Sequence, residues 1–159
     1  MRRILVVLLL TLTAAGCAAQ VDVEKALQVV DIRTGWFDAG IQPDGQNKLV
    51  PSISLKLKNV SSAPISSVQV MAVFRRVNEA EVLDTHYIRA IGTEPLAPGA
   101  STKDIVLRAT FGFTSPYPRL QILRHPGFID ANVKVFGKHG SRTFVQMQES
   151  KIDRTLLTR

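Results

Sequence analysis

The chain has 159 residues, of which 45% are hydrophobic, a length and composition expected of one folded domain with its own core. It carries 20 Lys and Arg residues against 13 Asp and Glu residues, a formal net charge of +7. Cys17 is the only cysteine, so an internal disulfide is excluded and core packing has to stabilise the domain.

The N-terminal residues have the pattern of a secretion signal. Arg2 and Arg3 form a short basic head, and an unbroken apolar run follows from Ile4 to Leu10. A membrane-spanning helix needs about 20 apolar residues, and this run is shorter. Small residues lead into Cys17, as a peptidase site requires. We therefore predict a cleaved signal peptide over residues 1–16.

The segment Ala14-Ala15-Gly16-Cys17 resembles the lipobox of bacterial lipoproteins, although leucine is more usual than alanine at position 14. The resemblance implies that Cys17 receives a diacylglycerol on its sulfur and an acyl chain on its new amino group. It also implies outer-membrane sorting, because Ala18 replaces the aspartate that retains many such proteins at the inner membrane. We expect a lipid-anchored protein of the bacterial envelope that faces the periplasm.

The basic charge is interpreted in the light of export. Without Arg2 and Arg3 the count falls to 18 basic against 13 acidic side chains, which is +5. An exported location argues against nucleic acid as the partner. Attraction to anionic lipid or cell-wall polymer fits that location better, and a domain that simply happens to be basic is the alternative.

Behind a predicted lipidated tether at residues 17–26, the domain at residues 27–159 shows period-two alternation of apolar and polar side chains. The alternation predicts strands at 27–34, 53–58, 68–75, 82–91, 105–109, 131–137 and 143–149. Turn residues separate these segments, Phe111 to Pro118 is predicted to be a loop, and no helical periodicity follows the signal. About seven short strands with regular turns predict an all-β, antiparallel β-sandwich.

Part of the chain resembles small bacterial immunoglobulin-like modules of the FxLYD type. The likeness covers roughly residues 50–110, and the residues that carry it are Lys58 to Ser62, Pro64-Ile65, Val68 to Val70 and Leu96 to Ser101. The Cys…Trp…Cys pattern of antibody domains is missing. The resemblance implies an immunoglobulin-like sandwich and gives no function.

Catalytic and metal-binding patterns are weak. His86, His125 and His139 are far apart in the sequence, and lipid would occupy Cys17. There is no Gly-x-Ser-x-Gly motif or phosphate-binding glycine loop, and Glu79 and Glu81 lie in a turn-like stretch. We predict no enzyme activity, no metal site and no cofactor.

Two aromatic segments are candidates for recognition. Trp36 either completes the core or anchors a partner from the surface. Phe113 and Tyr117, with Arg119 nearby, lie in the predicted loop, and loops at the end of a sandwich commonly bind ligands. The alternative is that this loop folds onto the core through its own rings.

These features favour a non-catalytic module that binds an envelope protein partner. The second hypothesis is a binder of anionic lipid or glycan that uses basic and aromatic loop residues. The third hypothesis, a hydrolase, has the least support in the sequence.

Overall fold

The computed structural model describes residues 21–157, so the predicted signal peptide and Cys17 lie outside the described residues. Within that range the chain forms nine strands and two short helices. In chain order these are α1 (Val23–Ala26), β1 (Leu27–Ile41), β2 (Asn47–Asn59), β3 (Val68–Arg76), β4 (Val82–Ile91), β5 (Ile105–Arg108), β6 (Phe113–Ser115), α2 (Arg119–Arg124), β7 (Ala131–His139), β8 (Val145–Lys151) and β9 (Leu156–Leu157).

The strands form two sheets. The first has the order β5-β2-β1-β9, with β6 also paired to β2, and the second has the order β4-β3-β7-β8. All pairs are antiparallel except β1 with β9. The prediction of an all-β, sandwich-like chain of antiparallel sheets is confirmed. The strands β6 and β9, of three and two residues, are the ones that the alternation does not predict.

The core lies between the two sheets and follows the predicted alternation. In β3 the buried side chains are Val68, Val70, Ala72 and Phe74, all fully shielded from solvent. The intervening side chains lie on the outer face of the second sheet. Each large apolar side chain buried in this way contributes about 1.5–3 kcal/mol, so the period-two pattern fixes which face packs.

The prediction that no helix follows the signal is wrong, because the chain contains two short helices, α1 and α2. In α1 the Asp22 carboxylate accepts the Glu24 backbone N–H at 3.2 Å, and Val23 is only 4% exposed. This part of the predicted tether therefore packs on the domain, and ordered structure begins before Leu27. In α2, Ile122 and Leu123 are buried. Helices of four and six residues are too short to show a helical period in the sequence.

The segment predicted as a loop contains a strand, β6, which pairs with the start of β2. Gly112 precedes it, and a Cβ atom there would lie 2.0 Å from the carbonyl oxygen of Leu49. Only glycine permits so close an approach of the two backbones. A strand of three residues is below the length at which alternation can be detected.

The long strand β1 defines two ends of the sandwich. It has 15 residues and therefore spans roughly 45 Å. At its start, which we call the N-terminal end, Val21 and Asp22 lie beside the β7–β8 turn. At the other end, which we call the distal end, β1 finishes at Ile41. Ile41 pairs with Asn47 of β2, Asn47 pairs with Ser115 of β6, and Asp38 of β1 forms an ion pair with Arg119 of α2.

Candidate functional site

The distal end is closed by an aromatic cluster. Trp36 meets Phe128 edge to face with ring centroids 4.6 Å apart, and Phe113 contacts the same ring at 5.1 Å. Trp36 is only 2% exposed, so the alternative that it anchors a partner from the surface is wrong. Phe113 is half-buried and packs on the core as well. Both rings therefore belong to the buried aromatic cluster beneath the distal end, which we call the floor.

Arg154 holds α2 and the loop after it against this floor. Its guanidinium donates to the backbone oxygens of Leu123 and Phe128 at 3.1 and 3.2 Å, and lies 5.1 Å from the Phe128 ring centroid. Its Nε donates to the Asp130 carboxylate at 2.7 Å, and Lys151 lies 3.2 Å from the same carboxylate. The hydrogen bond from Arg154, aided by Lys151, holds the pKa of Asp130 below its ordinary value.

Tyr117 lies at the rim of the distal end with its ring partly in solvent. One face of the ring stacks on His125, with centroids 5.3 Å apart and planes at 25°. The Tyr117 backbone oxygen accepts a hydrogen bond from the Asn47 amide at 3.0 Å. The side chain remains 48% exposed. A ring whose backbone is fixed and whose other face is open is well suited to contact a partner.

Arg119, the third residue predicted in this loop, is engaged within the protein. Its guanidinium forms an ion pair with Asp38 near the end of β1. This ion pair joins the start of α2 to the first sheet. Arg119 therefore positions the loop, and Tyr117 is the predicted residue that faces solvent.

Two further exposed apolar residues lie at this end. Ile41 is 67% exposed and Leu120 is 58% exposed. Ile41 is paired with Asn47, which is in turn paired with Ser115, so Ile41 and the β6–α2 turn are roughly two strand spacings, about 10 Å, apart. We call Ile41, Tyr117 and Leu120 the distal surface. Exposed apolar residues that lie at the same end of a domain are candidates for an interaction site.

A second exposed patch lies on the outer face of the second sheet. Tyr87, Met71 and Phe136 are cross-strand neighbours in one row over β4, β3 and β7. Tyr87 is 65% exposed. The neighbouring row places Arg89 and Lys138 on either side of Gln69. Basic and aromatic groups are therefore adjacent on this face, which we call the sheet face.

The acidic and histidine residues considered for catalysis or metal binding either form hydrogen bonds and ion pairs within the fold or are too far from one another to act together. Asp84 accepts the backbone N–H groups of Thr85, at 2.7 Å, and of Thr110, while Glu79 pairs with Arg76 at 3.5 Å. Within residues 21–157, no three His, Cys, Asp or Glu side chains gather closely enough to hold a metal ion. The helices in that range are also too short and too polar to cross a bilayer.

No protein-family model and no curated protein matches the chain. Among solved structures, the structural-genomics target SoR45 has a TM-score of 0.45 and 10% identity, over 84% of this chain and 89% of that one. A Bordetella pertussis protein provisionally named ApaA has a TM-score of 0.41 and 16% identity, over 80% and 93% of the two chains. At these scores neither structure says anything about what this chain binds.

Proposed function

We propose that this chain is a non-catalytic interaction module of the bacterial envelope, held on the membrane by lipid on Cys17. Its distal surface binds a protein partner in the periplasm. The lipobox-like segment Ala14 to Cys17 supports the anchor. Two or more acyl chains hold a protein stably on a bilayer, whereas one holds it weakly.

The proposal includes an immunoglobulin-like architecture. In constant-type immunoglobulin folds, the first, second, fourth and fifth strands share one sheet, and the third, sixth and seventh share the other. If the short β6 and β9 are set aside, the orders β5-β2-β1 and β4-β3-β7-β8 keep this division except for the fourth strand, β4, which lies at the edge of the second sheet. Such modules commonly bind partners through the loops at one end of the sandwich.

One observation carries the proposed function: the distal surface lies at the opposite end of β1 from the point where the chain enters the domain. Val21 is at the N-terminal end, and Ile41 lies roughly 45 Å along β1. A lipid on Cys17 would place the membrane near the N-terminal end. The exposed apolar residues would then point into the periplasm.

The chemistry of the distal surface favours a protein partner. Ile41, Tyr117 and Leu120 offer two aliphatic side chains and one tyrosine ring. The centre of a protein interface is more apolar than the rest of the surface, and tyrosine is enriched among the residues that contribute most to binding. The neighbouring cation of Arg119 is already paired with Asp38. Apolar contacts would therefore supply the affinity, and binding would change little with salt.

The test is crosslinking in living cells, followed by affinity capture and mass spectrometry, with wild-type protein, Cys17→Ser and Leu120→Glu. We expect one protein in near-equal amount with the wild type, and its loss in both variants. The mature wild-type protein should begin at Cys17 and carry the mass of the acyl chains. Capture that is equal for all three proteins, or a mature chain without lipid, would contradict the proposal.

A second candidate function, binding of an acidic glycan, is favoured by the sheet face. The Tyr87 ring can stack on a sugar, while Arg89 can pair with its acidic groups and Gln69 can donate to its hydroxyls. Such binding would weaken strongly with ionic strength. If Tyr87→Ala abolishes glycan binding and Tyr117→Ala leaves it unchanged, the result would favour glycan binding over binding of a protein partner.

A further inference from the structure

We propose that the end of the β7–β8 hairpin, through Lys138 near the end of β7 and Arg142 in the turn, contacts anionic phospholipid headgroups of the membrane that holds Cys17. This contact would keep the domain upright on the bilayer. The inference rests on the proposed lipid anchor, and it adds a second membrane contact and a fixed orientation to it.

The chain before Val21 is short enough to keep the turn near the lipid anchor. Val21 and Asp22 line one depression of about 320 Å³ together with His139, Arg142 and Thr143, so the entering chain lies against the turn. Cys17 is four residues before Val21, and four residues span at most about 14 Å. A lipid on Cys17 would hold the turn close to the headgroups.

The end of the β7–β8 hairpin also carries positive charge. Arg142 is exposed, and the Lys138 ammonium lies 4.8 Å from the Phe144 ring centroid. Neither cation forms an ion pair with an acid in the part of the chain that the structure describes. The turn itself, residues 140–144, contains no acid. Phosphate oxygens are the groups that such cations bind.

The acids closest to the turn do not cancel this charge. Asp22 already pairs with Lys25 at 3.3 Å. Glu24 lines the same depression on the side of α1, opposite Arg142. Lys25, Lys138 and Arg142 stand against Asp22 and Glu24, so these five side chains together carry a net charge of +1.

A membrane contact at the β7–β8 turn would fix the orientation of the distal surface. A lipid anchor and a short tether alone would let the domain tilt onto the bilayer. A second contact at the β7–β8 turn would align β1 with the membrane normal and hold Ile41 roughly 45 Å from the headgroups. The distal surface would then face a partner at a defined height.

The experiment uses the full-length lipidated protein in vesicles of phosphatidylcholine, with or without phosphatidylglycerol. Because Cys17 is the only cysteine and would be acylated, Ser141→Cys provides one free thiol at the turn for a fluorophore. A quencher attached to lipid headgroups reports how close the label lies to the bilayer. Asp44→Cys, in the exposed β1–β2 turn of the distal end, is the matched label position.

We expect several-fold stronger quenching at position 141 with phosphatidylglycerol than without it, and weak quenching at position 44 in both vesicles. Lys138→Gln with Arg142→Gln should abolish the difference. Arg75→Gln with Arg124→Gln, which removes the same charge from exposed sites near the distal end, should leave it unchanged.

Lipidated protein whose label at 141 responds equally to both vesicles, or whose response survives Lys138→Gln with Arg142→Gln, would overturn the inference alone. Protein that carries no acyl mass and stays in solution would instead contradict the proposed function, and the inference with it.

Discussion

The ring of Tyr117 stacks on the imidazole of His125, with centroids 5.3 Å apart and planes inclined by 25°. The His125 Nδ1 atom accepts the Gly127 backbone N–H at 3.0 Å, which fixes the imidazole on its own loop. One face of Tyr117 is therefore supported by the protein while nearly half of the side chain is in solvent. This arrangement presents the ring without burying it.

Tyr117→Ala should abolish partner capture while lowering the free energy of unfolding by only about 1 kcal/mol, the value expected for one aromatic contact. Urea unfolding and capture measured on the same preparation test this. Val106→Ala, at an exposed apolar residue on the outer face of the first sheet, is the control and should capture normally. A loss of several kcal/mol with Tyr117→Ala would show that the ring belongs to the core.

Trp36→Ala should lower the free energy of unfolding by about 3–5 kcal/mol, because it empties the centre of the distal cluster. Trp36→Phe should cost less, since it keeps a ring beside Phe128. It also removes the indole N–H, which is buried without a hydrogen-bond partner in the described part of the chain. Urea unfolding compares the two variants. Equal losses would contradict the account of Trp36 as a core residue.

Asp130 should make stability depend on acidic pH. Its pKa is lowered in the folded protein, chiefly by the hydrogen bond from Arg154. Its contribution is therefore fully present above the unfolded pKa, about 3.9, and is lost as pH falls through the lower folded value. Thermal unfolding between neutral and acidic pH should show a shallower loss for Asp130→Asn than for the wild type. Glu94→Gln, at an exposed loop position, should follow the wild type.

Gly112→Ala should lower the free energy of unfolding by about 1–3 kcal/mol, because its Cβ would lie 2.0 Å from the Leu49 carbonyl oxygen and push β6 away from β2. Gly92→Ala is the matched control, since no heavy atom lies within 4 Å of a Cβ built there. Unfolding of both variants in urea tests the pairing. An unchanged midpoint for Gly112→Ala would show that β6 is not closely packed.

The burial of Trp36 could not be deduced from alternation because β1 contains a bulge. Before the bulge the core-facing residues are Leu27 and Val29, which have odd numbers. Asp31 has a φ of +53°, and the pairing with β2 shifts between Val30 and Arg33. After the shift Trp36, at an even position, faces the core. A bulge of this kind resets the period-two pattern.

Strands with unbroken alternation were predictable because each repeats the same pattern several times, as β3 does from Val68 to Phe74. The two longest strands, β1 and β2, extend well beyond the predicted 27–34 and 53–58, because the alternation is interrupted in both. Of the distal surface, only Tyr117 could be predicted from the sequence. Ile41 and Leu120 come from two elements that are far apart in sequence, and their proximity depends on the pairing of β2 with β1 and β6. An exposed apolar residue has no distinctive neighbours in the sequence.

The distal surface of the lipid-anchored module is proposed to bind a protein. The most direct measurement places a photo-crosslinking amino acid at Leu120 in living cells and compares it with one at Thr93, an exposed residue of the N-terminal end. We predict one discrete protein adduct from position 120, none from position 93, and loss of the adduct in Cys17→Ser. The absence of a discrete adduct from position 120, or the same adduct from both positions, would contradict the claim.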